Sequence, residues 1–102
     1  MKITFFGTSH GVPERGRYCT CMMLESGGAI YFIDAGAPVV DGMLRLGKSV
    51  NDLRAVFTTH VHSDHTVGLL HLADLMNWYY KKSSAKFFVT EQEHIDATER
   101  WI

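Results

Sequence analysis

The chain has 102 residues, of which 46% are apolar and 21% charged, with a formal net charge of −1. Those proportions describe one small globular domain and provide no bulk charge to draw it to nucleic acid or a membrane. No apolar run nears the roughly 20 residues of a membrane span, and the opening MKITFFGTSHG lacks the apolar core and cleavage site of a signal peptide.

Lys2 to Phe6 alternates through Ile, Thr and Phe and predicts a strand. Gly7 to Tyr18, with three glycines and a proline, predicts a loop. Cys19 to Glu25 and Ala29 to Ile33 predict two strands, joined by the Ser-Gly-Gly turn of a hairpin. On one extended strand Cys19 and Cys21 share a face side by side, which is poor geometry for a disulfide. Both are expected to be reduced and buried, as in a cytoplasmic protein. No second cysteine pair accompanies this C-x-C to complete a zinc site.

Asp34-Ala-Gly-Ala-Pro ends the next strand, and Pro38 suits the first turn of a helix reaching about Leu46, with Gly47 as its C-terminal cap. Leu53 to Thr58 is nearly continuous in apolar residues, the mark of a strand covered on both faces. Val67, Leu70, Ala73, Leu75 and Tyr79 recur near helical spacing and predict a helix from Thr66 to Lys82, closed by Lys81 and Lys82. Together with Lys86 these lysines form the one cationic cluster, read as a solvated helix end. Lys86 to Val89 predicts a last strand, and Thr90 with Glu93 a capping box opening a C-terminal helix. The order gives an α/β layer arrangement.

Three of the six histidines fall in FTTHVHSDHTVG, spaced His60-x-His62-x-Asp64-His65, in the loop leaving the apolar strand. Such strand-to-helix loops collect ligands because a rigid sheet edge aims short side chains at one point. Imidazole and carboxylate are the ligand set of zinc, and also of iron or manganese. If the backbone is extended, His60 and His62 point the same way and can share one ion. Asp64 and His65, at the turn into the helix, project from another direction and can serve a second. Metal pairs roughly 3.5–4 Å apart hydrolyse phosphate and acyl bonds in line.

The H-x-H-x-D-H run resembles that of the metallo-β-lactamase superfamily of metal-dependent hydrolases. YFIDAG (Tyr31 to Gly36) is similar to the superfamily's first motif, and FFGTSHGVPERGRYC (Phe5 to Cys19) to the opening of its ribonuclease Z-like and phosphodiesterase-like branch. The resemblance implies that residues 1–102 are the N-terminal half of an αββα sandwich. It assigns His60 and His62 to the first of two zinc ions and Asp64 and His65 to the second, with Asp64 also catalytic. It makes Asp34 a buried brace for the motif loop rather than a ligand, and it places Ser9 and His10 in a loop that borders substrate.

The same resemblance implies a third histidine, a bridging aspartate and a last histidine from later strand ends. His71 and His94 do not match them and read as surface or packing residues. The second half is thus expected from a longer polypeptide or another chain, and residues 1–102 alone are expected to hold metal weakly. The open sheet face is expected to be covered by that half or by another copy in a homo-oligomer. The implied function is that of a dinuclear zinc phosphodiesterase acting on a small-molecule or nucleic-acid phosphodiester. The alternatives are a lactone or thioester hydrolase of the same superfamily, or a non-catalytic metal-binding half-domain that acts only with a partner.

Overall fold

Ser26 pairs with Ala29 across a two-residue turn in which Gly27 and Gly28 both have positive φ, 57° and 82°. That turn matches the twist of an antiparallel pair and needs residues free of a Cβ penalty, so Ser-Gly-Gly sets the register of this hairpin. The computed structural model describes every residue from Met1 to Ile102. Its strands are β1 (Lys2–Ser9), β2 (Tyr18–Cys19), β3 (Cys21–Ser26), β4 (Ala29–Ala35), β5 (Leu53–Phe57) and β6 (Lys86–Phe88). They form one sheet in the order β2-β1-β3-β4-β5-β6. The β1–β3 and β3–β4 pairs are antiparallel, whereas β4, β5 and β6 run parallel.

The helices are α1 (Val39–Arg45), α2 (Ser63–Thr66), α3 (Leu69–Trp78) and α4 (Gln92–Trp101), with a 3-10 turn at Val50–Asp52 before β5. Cys21, Met23, Ile30, Phe32 and Val56 from the sheet meet Val39, Val40 and Met43 of α1 and Leu69 and Leu72 of α3 in one buried core. The result is a two-layer mixed α/β unit.

The other face of the sheet carries no helix. Along it the register aligns Phe5, Met22, Ile33, Phe57 and Phe88 in one row across five strands, and Ile3, Leu24 and Tyr31 in the next. Phe5 is 61% exposed and Phe88 50%. Phe57 stacks on Phe88 with centroids 4.9 Å apart and is itself 42% exposed. Within residues 1–102, β5 is thus covered on one face only, its other face being part of the open side expected from the sequence. Its apolar run fills the core with Leu53 and Val56 and faces outward with Phe57.

Several boundaries also differ from the sequence expectations. β1 continues to Ser9 because β2 pairs alongside it, Gly7 with Tyr18 and Ser9 with Cys19, a non-local contact that local composition does not report. The single strand expected from Cys19 is split at Thr20 between β2 and β3. Gly68 breaks the long helix into α2 and α3, and its N–H turns to the Ala35 carbonyl at 2.8 Å. α3 stops at Trp78, so Lys81 and Lys82 lie in the following turn rather than in its last turn. α4 begins after Glu91 with no side-chain cap, so Thr90 and Glu93 do not form the expected box. Gly47 closes α1 as expected, with Gly47 N–H on Leu44 and Lys48 N–H on Met43.

Candidate metal centre

β4 and β5 are parallel neighbours, so their C-terminal ends open at the same edge of the sheet. Asp34 comes from the first and the motif loop from the second. The chain leaves β5 at Phe57, crosses Thr58 to His62 without regular structure, and turns into α2 at Ser63. His60, His62 and Asp64 each offer a ligand atom, and these atoms all lie within 4.8 Å of one another. The His60 ring centroid is 4.8 Å from that of His62 and 4.2 Å from that of His65. His65 Nε2 is 3.1 Å from Asp64 Oδ2. All four motif residues thus converge at one end of β5.

Asp34 stands behind them. It is 2% exposed and has φ 62°, the one non-glycine residue with positive φ. That backbone state costs on the order of 1–3 kcal/mol and persists only where the surroundings over-determine it. Here Oδ1 accepts the Thr59 N–H at 2.8 Å, Oδ2 faces His65 Nδ1 at 2.7 Å, and the Thr59 hydroxyl reaches both oxygens at 3.1 and 3.0 Å. A carboxylate can only accept, so His65 donates from Nδ1 to Asp34, while its Nε2 faces the Asp64 carboxylate. An imidazole nitrogen and a carboxylate oxygen facing one another, backed by a buried acid, are the donor set that divalent zinc, iron or manganese would take, the cation replacing any proton between them.

Two close backbone approaches hold α2 in this place. A Cβ on Gly36 would lie 2.1 Å from the Asp64 carbonyl oxygen, and one on Gly68 would lie 2.3 Å from that of Ala37. The Thr66 hydroxyl closes α2 onto the His62 carbonyl at 3.1 Å. Beside the cluster a cleft of about 530 Å³ runs between the β1–β2 loop and α2–α3, lined among others by Gly11, Tyr18, Asp64 and His71.

Ser9 is buried and its hydroxyl is bonded to the Val12 carbonyl. His10 is exposed, 3.8 Å from Glu14, which also pairs with Arg17 at 2.9 Å. Gly11, one residue on, is the part of the loop that comes near the cluster: a Cβ there would be 3.6 Å from Asp64 Oδ2. His71 is exposed on the wall of the cleft, and His94 lies in a separate groove between α3 and α4. Cys19 and Cys21 are free and buried, and burial pushes the Cys21 thiol up to about 12.

Sequence reasoning gave no role to Thr59, to Gly68 or to Gly36, although Gly36 ends the YFIDAG motif. The first stands directly before the motif, and the doubled threonine of FTTH was its only local sign. The glycines act through backbone contacts to residues distant in sequence, which composition does not reveal.

A sequence profile described as Anti-Pycsar protein Apyc1 matches residues 1–96. Ribonuclease Z of Nitrosopumilus maritimus is 34% identical over 88 residues, covering 86% of this chain and 29% of that protein. Ribonuclease Z of Pseudomonas putida strain W619 is 44% identical over 71 residues, covering 68% and 22% respectively. The chain therefore spans about a quarter of the length of these curated relatives. Among solved structures, human tRNase Z (short form) superposes with a TM-score of 0.64 at 20% identity over 91% of this chain and 48% of that one. The metallo-β-lactamase fold protein YhfI of Bacillus subtilis gives 0.68 at 18% identity over 89% and 46%. The profile match over nearly the whole chain, on a sheet and helix layer shared with these structures, shows that the chain belongs to the Anti-Pycsar protein Apyc1 family, among the ribonuclease Z-like metallo-β-lactamase-fold proteins.

Proposed function

We propose that this chain supplies the first half of the active site of a dinuclear, zinc-dependent phosphodiesterase. The observation that carries the reading is the convergence of His60, His62 and Asp64 within 4.8 Å at the end of β5, with Asp34 bonded behind His65. His60 and His62 would hold one ion, and Asp64 and His65 a second. Zinc, when bound, polarises a phosphoryl oxygen as a Lewis acid. Asp64, on the wall of the cleft, is both ligand and catalytic carboxylate, its acceptor oxygens placed to orient a water beside the substrate. Asp34 keeps His65 in one tautomer and one orientation. The ribonuclease Z relatives favour a phosphodiester substrate, either nucleic acid or a smaller nucleotide-like diester.

Two ions need more ligands than these four side chains offer, so later segments would supply the rest. The apolar row from Phe5 to Phe88 is where a second sheet would pack, completing the sandwich. Free, buried Cys19 and Cys21 suit a cytoplasmic setting. The test is zinc titration and hydrolysis of bis(p-nitrophenyl) phosphate by the full-length protein, beside His62→Ala and Asp64→Asn. Zinc-dependent turnover lost in both variants supports the reading. Turnover of a p-nitrophenyl ester but no diester would instead favour an acyl hydrolase.

A further inference from the structure

Thr59 connects the buried acid to a second histidine. Its Oγ1 lies 3.0 Å from His60 Nδ1 while also reaching Asp34 Oδ1 and Oδ2 at 3.1 and 3.0 Å. A hydroxyl has one proton to donate and lone pairs to accept with. Both Asp34 oxygens are acceptors already engaged by the Thr59 N–H and by His65. The hydroxyl proton therefore goes to Asp34, and the oxygen is left to accept from His60 Nδ1–H.

We propose that Thr59 is a positioning residue that fixes the tautomer of His60, holding its proton on Nδ1 and leaving Nε2 as the nitrogen free for a metal. Asp34 then sets two ligand rings at once, His65 by direct contact and His60 through the Thr59 hydroxyl. The Thr59 backbone N–H donates to Asp34 Oδ1 as well, so residue 59 is held on the carboxylate through both its main chain and its hydroxyl. Thr59 touches the ligands only through His60 and Asp34, and its side chain lies at the surface, so exchange there leaves the core intact. The part of this assignment that concerns zinc rests on the metal reading above; the tautomer does not.

The experiment uses the ¹⁵N-labelled full-length protein without metal at about pH 8, where an ordinary imidazole is neutral. A long-range ¹H–¹⁵N spectrum reports which ring nitrogen of His60 bears the proton, and zinc affinity is read in parallel by competition with a chelator. In the parent, His60 is expected as the Nδ1–H form. Thr59→Val keeps the shape and the backbone N–H but removes the hydroxyl. It should move His60 towards the Nε2–H form and weaken zinc binding ~10–100-fold, as loss of a partner behind a ligand does. Thr59→Ser, which restores the hydroxyl, should recover both. A parent His60 in the Nε2–H form, or a Thr59→Val protein still in the Nδ1–H form, overturns the proposal. Hydroxyl-dependent Nδ1–H in a protein that binds no zinc upholds the link and removes the metal reading. Tight zinc binding that ignores Thr59→Val, with an unchanged tautomer, does the reverse.

Discussion

Gly36 lies directly beneath Asp64: a Cβ on the glycine would stand 2.1 Å from the carbonyl oxygen of the aspartate. The strand end and the motif loop thus touch backbone to backbone, with Thr20 O and Cys19 Cβ closing the same space at 2.8 and 2.9 Å. Gly36→Ala must push the motif loop away from β4. It is expected to lower unfolding stability by about 1–3 kcal/mol, the usual cost of overpacking, and to weaken zinc binding. Gly27→Asn, in the open hairpin turn, should leave both unchanged, since asparagine accepts positive φ and nothing lies within 4 Å. Urea denaturation of the two variants gives the comparison.

Removing the acid should act on the site before the fold. Asp34→Ala deletes the partner of His65 Nδ1 and of the Thr59 N–H and hydroxyl. Zinc affinity is expected to fall ~10–100-fold. Calorimetric titration of zinc into the parent and variant measures it, and equal affinities would remove Asp34 from the ligand-bracing role.

Cys21 should be inert while the protein is folded. Burial, the largest cause, raises its pKa from 9.0 to about 12, with Asp34 adding to the rise and a backbone bond at Ala37 opposing it. The thiol therefore stays protonated at neutral pH, and the thiolate is the nucleophile. Iodoacetamide at pH 8 should modify Cys21 only after denaturant is added. The unfolded thiol ionises from about pH 9 and the folded one only near 12, so the unfolded state binds fewer protons in between. This contribution to stability is complete below pH 9 and is lost as the pH climbs towards 12.

Lys48 stands 2.6 Å from Glu25 and, as a hydrogen-bond donor, holds that carboxyl below its usual range. The contribution is present above the ordinary glutamate pKa and disappears as the pH falls through the lowered one. Lys48→Met should return the Glu25 titration, followed by carboxyl ¹³C shifts, to the ordinary range. A metal-site readout should not move, because the pair lies at the opposite end of the β3–β4 hairpin from Asp34.

The layer order and the motif were legible because both are carried by neighbours in sequence. Alternation marked β1, Ser-Gly-Gly marked the turn between β3 and β4, and His60 to His65 lie within a few residues of one another. What escaped was set by distant partners. β2 forms because β1 is beside it, and α3 is separated from α2 because Gly68 bonds to Ala35. Thr59 looked like any strand-end threonine until Asp34, 25 residues earlier, was seen beneath its hydroxyl. Which residues of β5 face the open side was also hidden, since Leu53, Val56 and Phe57 are alike in hydropathy but face different ways.

The contacts of Gly36 with Asp64 and of Gly68 with Ala37 have a kinetic consequence. These contacts seat α2 on main chain at both ends, so Asp64 and His65 stand in place before an ion arrives. Capture should then proceed in a single step. In stopped-flow mixing, the observed rate should rise in proportion to zinc without levelling off, whereas a site that first had to reorganise would reach a plateau. Gly36→Ala, by lifting the loop from its seat, is the change expected to bring that plateau into view.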